Sequence, residues 1–417
     1  AETKLSQIQN VISPDSDSRD ASASQISKEK YPGSVATRLL LWKQSLGLVK
    51  QNPLFGVGAG NWKINFPKTG LNEFDYYVRQ GNKHFQRPHN DFICVLCESG
   101  ITGLLFYLTA YIMIIVFAIK SFFKEKSRNH RMLSVLLCAG LIGYLVISFF
   151  DFPVERITHN ILICIYFAII LRLNPGTVHK EIIISRKSKY VFLVFCLVTG
   201  IFSIHVSRQR LKGEMYSNKL LHAQATQNWK VLIKEADNAS SRYYSMDPFS
   251  TPVSWYKGVA LFSLSRLNEA QAEFSKAYRQ HPYHLQILNN LASCYEIKGN
   301  HVRSVELYRK ALEISSGFEE AIVNLSIVYF NLGEIEKAFQ TIQTNRISEN
   351  PKYIIAIKAI LAKKTEIIAQ RQSNKWLADK IIAQTEDREK LRKIFEHSII
   401  HNTSFEEEML CTVKESK

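Results

Sequence analysis

Apolar positions are gathered into four runs, at about 101–119, 132–150, 158–173 and 190–206, with polar sequence on either side. A bilayer crossing needs about 20 apolar residues, so each run reads as a transmembrane helix. The run from Met132 to Phe150 carries no charge. The run at 158–173 is shorter and starts at His159-Asn160, and a buried soluble helix is the alternative for it. Ahead of them, 1–30 is rich in Ser, Asp and Lys and reads as a flexible loop or linker. Arg38 to Lys50 has a partly amphipathic helical pattern, which Gln51-Asn52-Pro53 should end. Gly56, Gly58 and Gly60 then mark a turn, 61–88 is aromatic and basic without a period, and a further helix is expected to start near His89.

Beyond residue 207 the pattern changes to a 34-residue period. Pro248 and Pro282 share a register, as do Ala236, Ala270, Ser304 and Ala338, Gly299 and Gly333, Leu291 and Leu325, Tyr295 and Tyr329, and Phe274 and Tyr308. A 34-residue period with small residues at these places resembles the tetratricopeptide repeat. A single helix pair cannot bury its own apolar face, so pairs must stack. Repeats are placed at 217–250, 251–284, 285–318 and 319–352, within a repeat region of 217–352. Residues 353–417 are expected to hold a capping helix at 353–371 and a charged helical tail.

Charge sets an orientation. The chain of 417 residues has a formal net charge of +16, with 22% charged and 46% hydrophobic residues. That balance points to anionic headgroups or a phosphate-bearing substrate, and no nucleic-acid recognition motif accompanies it. The 120–131 loop holds Lys120, Lys124, Lys126, Arg128 and Arg131, and the 172–189 loop holds Arg172, Lys180, Arg186, Lys187 and Lys189. The 151–156 loop is acid-rich. The positive-inside rule then puts 120–131 and 172–189 in the cytoplasm, with 31–97 and the repeats on the opposite side. Arg208, Arg210 and Lys212 run against this, within what translocated domains tolerate. Seven scattered cysteines make no disulfide framework, and Cys94-x-x-Cys97 heads an apolar helix without a second pair. The start at Ala1, with no signal peptide in 1–30, suggests a fragment cut short at its N-terminus. The expected fold class is all-α: a polytopic membrane bundle of about four spans followed by a repeat solenoid.

Residues 38–103 carry the chemistry: Arg38 and Trp42, then Pro53, Gly56 and Gly58, then His89-Asn90, then Glu98, Gly100 and Gly103 at the start of a span. This series resembles the extracytoplasmic loop of the O-antigen ligase/polymerase family (the Wzy-C type domain), over roughly residues 30–173. Asp151-Phe152-Pro153 looks like a further segment of that family, and members with C-terminal tetratricopeptide repeats are familiar. The resemblance implies a membrane glycosyltransferase moving glycan from an undecaprenyl-pyrophosphate carrier to a hydroxyl, lipid A-core or similar. It implies the outer face of a bacterial inner membrane, a catalytic loop at 31–100, and no metal or other cofactor. The polymerase, a protein O-oligosaccharyltransferase and a non-catalytic membrane-anchored repeat scaffold are the alternatives, and the repeats suggest a protein partner.

Two residues are the catalytic candidates. Arg38 suits a diphosphate leaving group, because guanidinium stays charged and bonds phosphate in a fork. His89 titrates in the range that a base for the acceptor hydroxyl needs, with His84 as its alternative. Arg79, Lys83 and Arg87 add charge for substrate binding, and Asn90, Glu98 and Trp42 complete the binding set. Each has a plainer reading. Arg38 could snorkel to headgroups, His89 could start a helix capped by Asn90 or Asp91, and Glu98 could pair with a base or cap a helix. Trp42, Trp62, Tyr76 and Tyr77 could be interfacial anchors or core.

Overall fold

The computed structural model describes residues 34–74, 85–173, 185–344, 348 and 350–415. The described chain is 81% helical, with no strands. It forms two units. One comprises 34–69 and 85–256, the other 70–74 and 257–415.

The first unit starts with α1, Ser34–Gln51, and the short α2, Trp62–Asn65. Three apolar helices follow: α3, Asp91–Lys124; α4, Arg128–Phe150; and α5, Ile157–Leu173. Then comes α6, Arg186–Ala225, and α7, Trp229–Ala239. The helices α3, α4 and α6 are long and apolar enough to cross a membrane. The run expected as the third span lies on α5, which has 17 residues and is the shorter of the four. Helices α3, α4 and α5 share a core of Tyr111, Ile114, Ala118, Leu137, Leu141, Tyr144, Ile163 and Ile170. Lipid offers helices no hydrophobic drive to associate, so close approach and polar contacts matter there. Ser134 Oγ donates to Ser121 Oγ at 2.9 Å, and Ser121 Oγ donates to the Leu173 carbonyl at 3.1 Å. A Cβ at Gly140 would lie 2.6 Å from the Tyr166 ring, so only glycine admits that ring between α4 and α5. Among the described residues nothing buries the apolar window of α6.

Gly100 breaks α3, with φ 67° and ψ −169°. The break removes the helical bonds that the amides of Ile101 and Thr102 would make to the carbonyls of Cys97 and Glu98. The glycine-rich turn replaces them. Val57 N donates to Cys97 O at 2.9 Å and Gly58 N to Glu98 O at 2.8 Å. In return Ile101 N donates to Pro53 O at 2.8 Å and Thr102 N to Leu54 O at 3.3 Å. A buried unpaired amide or carbonyl is costly, and the exchange leaves none of these four orphaned. Contact is backbone to backbone: a Cβ on Gly56 would come within 2.4 Å of Glu98 C, and one on Gly100 within 2.2 Å of Leu54 O.

The second unit stacks helix pairs. They are α8 and α9 (Val253–Ser263, Leu267–Gln280), α10 and α11 (Leu285–Ile297, His301–Ile314), and α12 and α13 (Glu319–Asn331, Ile335–Gln343). Ala270, Ser304 and Ala338 are fully buried at equivalent places in the second helices. The turn before each second helix has a left-handed residue two places ahead of the first helical position. These are Gln227, Ser265, Gly299 and Gly333, with φ of 53°, 61°, 79° and 77°. Measured from that turn, the second helices start at Trp229, Leu267, His301 and Ile335. The last three starts keep the 34-residue step and the first does not. Ala236 therefore sits one helical turn later in α7 than Ala270 does in α9, though on the same buried face. An offset of four residues preserves a helix face, which is why the sequence register looked gapless.

Four more helices follow: α14, Pro351–Gln370; α15, Lys375–Ala383; α16, Arg388–His401; and α17, Phe405–Glu415. The charged tail is folded rather than trailing. Phe395 and Phe405 meet Phe339 of the last repeat, each with ring centroids 5.9 Å away. The loop piece at Leu71–Phe74 also packs in this unit: Leu71 N donates to Ile314 O at 2.6 Å, and Ser316 N to Asn72 Oδ1 at 2.8 Å.

Candidate active site

The site lies in the first unit, where the chain before α3 meets α1 and the turn between α4 and α5. The turn at 151–156 is a sharp one, with Pro153 starting a single 3-10 turn. Asp91, buried in the first turn of α3, holds it by accepting from Val154 N at 3.1 Å. Asn160 at the start of α5 donates to Val154 O at 2.5 Å. The end of α4 is fixed from the other side, where the Arg38 guanidinium donates to the Phe150 carbonyl at 2.9 Å. That carbonyl is one of those a helix C-terminus leaves unpaired, and a cation suits its partial negative charge.

Trp42 sets the approach to His89. Its indole Nε1 donates to Pro88 O at 2.8 Å, and its ring meets Phe149 edge-on at 5.4 Å. Asn90 is the N-cap of α3, with its side chain accepting from Ile93 N at 2.9 Å. Between them His89 is left-handed, with φ 55°. Strain of that kind costs about 1–3 kcal/mol and persists where surrounding contacts enforce it. The ring faces Phe152, with centroids 5.2 Å apart, and Nδ1 lies 3.9 Å from Asp151 Oδ1. Burial and the nearby Arg38 and Arg87 charges lower the His89 pKa below the ordinary imidazole value, against an opposing pull from Asp151. The shift favours the neutral ring, the form that can accept a proton.

Cationic groups cluster on the same turn. The Arg87 guanidinium sits 4.0 Å from the centre of the Phe152 ring, and Arg156 sits 5.3 Å from it. Arg87 pairs with Glu155 at 2.7 Å and Arg156 with Asp151 at 3.1 Å. All four groups are partly exposed, and such pairs contribute about 0–1 kcal/mol, so an anionic ligand can displace them.

Arg38, Trp42, Arg87, His89 and Asn90 therefore come together. Glu98 does not join them: its Oε1 accepts from Trp62 N at 3.1 Å, capping the start of α2. Arg79, Lys83 and His84, with Tyr76 and Tyr77, lie outside the described residues. Cys97 is core, its thiol donating to Ser45 O at 3.2 Å. Arg156 and Phe152 were not in the candidate set. Arg156 sits in a loop that reads as acidic, and only the turn geometry puts its charge on Asp151 and the Phe152 ring, the two groups that His89 faces. Among the described residues no three His, Cys, Asp or Glu side chains gather into a set that could hold a metal ion.

Comparison with known proteins agrees with the motifs. Residues 4–108 match the family model described as O-antigen ligase, and residues 285–318 match a tetratricopeptide repeat. The first match begins within the polar stretch before α1 and ends inside α3, earlier than the 30–173 expected. No curated protein matches the chain. A crystal structure of a TPR repeats protein from Bacteroides fragilis is 14% identical, covering 49% of this chain and 99% of that one, with a TM-score of 0.25. The chain is a helical membrane protein in which a segment similar to the O-antigen ligase family precedes helical repeats, one of them matching a tetratricopeptide repeat.

Proposed function

We propose that the protein is a glycosyltransferase of the O-antigen ligase type, acting at the outer face of a bacterial inner membrane. It takes glycan from an undecaprenyl-pyrophosphate carrier and passes it to an acceptor hydroxyl of lipid A-core or a similar molecule. The observation that carries this reading is the convergence of Arg38, Arg87 and Arg156 on the turn that faces His89.

In the reaction the acceptor oxygen attacks the anomeric carbon and the bond from that carbon to the diphosphate oxygen breaks. Negative charge grows on the leaving diphosphate, and guanidinium groups stabilise it in place without themselves reacting. Arg87 and Arg156 exchange their carboxylate partners for the diphosphate, and Arg38 holds the end of α4 while adding charge. The acceptor loses its proton to neutral His89. In the neutral ring one nitrogen keeps a lone pair for that proton, and the Asp151 carboxylate, 3.9 Å from Nδ1, favours the imidazolium that results. Trp42 and Asn90 position His89, while Glu98 supports the glycine turn.

The test is the full-length gene in its native host with His89→Asn, since asparagine tolerates the left-handed backbone that alanine would strain. Loss of the surface glycolipid ladder with build-up of long carrier-linked glycan is the expected result. Build-up of single repeat units would instead assign the polymerase reaction. An unchanged ladder with the protein present in the membrane would remove His89 from the chemistry.

A further inference from the structure

We propose that the loop at 241–250 is a lipid-contacting element whose Pro248-Phe249 tip rests among phospholipid headgroups beside the end of α6. The loop follows α7 and belongs to the first unit. It is tightly built. Ser241 and Tyr244 bridge each other, as do Met246 and Pro252. Buried Asp247 accepts from Thr251 N at 2.8 Å and from the Tyr256 hydroxyl at 2.6 Å, and Ser250 is left-handed at φ 71°. A loop fixed in this way cannot fold its tip inward, and Phe249 remains 61% exposed next to exposed Pro248.

Two anchors fix its level. The Tyr243 ring packs edge-on against Phe202 and His205, at 6.3 and 5.9 Å. Those residues end the exposed apolar run of α6, and Arg208, Arg210 and Lys212 follow at once. At 1.5 Å per residue His205 lies only about 5 Å before the first of these charges, and cations flanking an apolar run suit headgroups. Tyr244 packs over Gly213, where a Cβ would lie 2.3 Å from the ring, and its hydroxyl donates to Ser217 Oγ at 3.0 Å. The second anchor is Gln86, which donates to Phe249 O at 2.9 Å and accepts from Ser250 Oγ at 2.9 Å. Gln86 is two residues from Pro88, which Trp42 ties to the end of α4. The loop therefore touches the chain at the ends of two spanning segments, on one side of the bilayer. An exposed aromatic tip suits the boundary of acyl chains and headgroups. Phospholipid is the occupant because the loop packs at the end of the exposed apolar run of α6, which is long and apolar enough to cross a membrane.

The experiment replaces Phe249 with p-benzoylphenylalanine in the full chain. The protein is reconstituted in phosphatidylethanolamine–phosphatidylglycerol vesicles, irradiated and weighed by mass spectrometry. The same probe at Val302, 76% exposed on the repeats, is the control. A phospholipid adduct at 249 and none at 302 is expected. No adduct at 249, or equal adducts at both, overturns the proposal. The vesicles contain no polyprenyl carrier and no glycan is transferred, so the outcome is separate from that of the reaction proposed above.

Discussion

At the scale of single residues, His89 holds together a backbone conformation and a charge state. Its left-handed φ turns the ring toward Asp151 and Phe152, and Arg38 and Arg87 make protonation unfavourable. The folded-state pKa is lowered, so below the ordinary imidazole value of 6.5 the unfolded chain binds the proton more readily and stability is lost as the pH drops. Above that value this group makes no such difference. Activity follows the same sign: the acid limb of a pH–rate profile for transfer should fall below pH 6.5. Asp151 is the influence that raises the pKa, so Asp151→Asn should move the limb lower still. A limb at or above 6.5 in the unmodified protein would show that His89 is not the titrating base.

At the scale of elements, two glycine positions and one serine make opposite predictions. Gly56 and Gly100 press backbone on backbone, so Gly100→Ala meets both a left-handed φ and a 2.2 Å contact. A loss of at least about 1–3 kcal/mol is expected, read as a lower melting temperature and reduced membrane yield. An alanine variant as stable as the parent would mean that the turn and α3 are not locked as described. In the repeats, Ser265 holds a left-handed place that Gly299 and Gly333 fill without strain. Ser265→Gly should therefore stabilise by about 0.5–1 kcal/mol in thermal denaturation. Destabilisation there would show that the Ser265 side chain contributes more than its backbone costs.

At the scale of the whole molecule, the spans decide on which side the site works. We propose that α3, α4, α5 and α6 each cross the bilayer, which would bring 85–91, 150–157 and 207 onward to one side, the outer one by the positive-inside rule. Exposed Cys411, beyond the repeats, supplies a native label. A membrane-impermeant thiol reagent applied to spheroplasts should modify Cys411, while Lys124→Cys between α3 and α4 should stay protected. Ready modification at 124 with protection at 411 would invert the orientation, and the proposed reaction with it.

Periodic and compositional features were legible in the sequence by itself. Apolar runs of bilayer length, loop charge, a 34-residue step and the motif series from Arg38 to Gly103 are one-dimensional properties, set by the solvent each stretch must meet. They sufficed for an all-helical membrane protein with repeats and for naming His89 and Arg38 as candidates. Only tertiary structure decided what each motif residue touches. Glycine spacing does not say that Gly56 and Gly100 repair one broken helix, because the missing bonds are supplied from about 40 residues away in the chain. Trp42 and Glu98 read as binding residues until their partners, Pro88 O and Trp62 N, are in view. Arg156 reads as part of an acidic loop, and its charge joins that of Arg87 only because both guanidiniums approach the Phe152 ring. The physical reason is the same each time: solvent preference is a property of a residue and its near neighbours, whereas hydrogen bonds and ion pairs are satisfied by whatever the fold brings within about 3 Å.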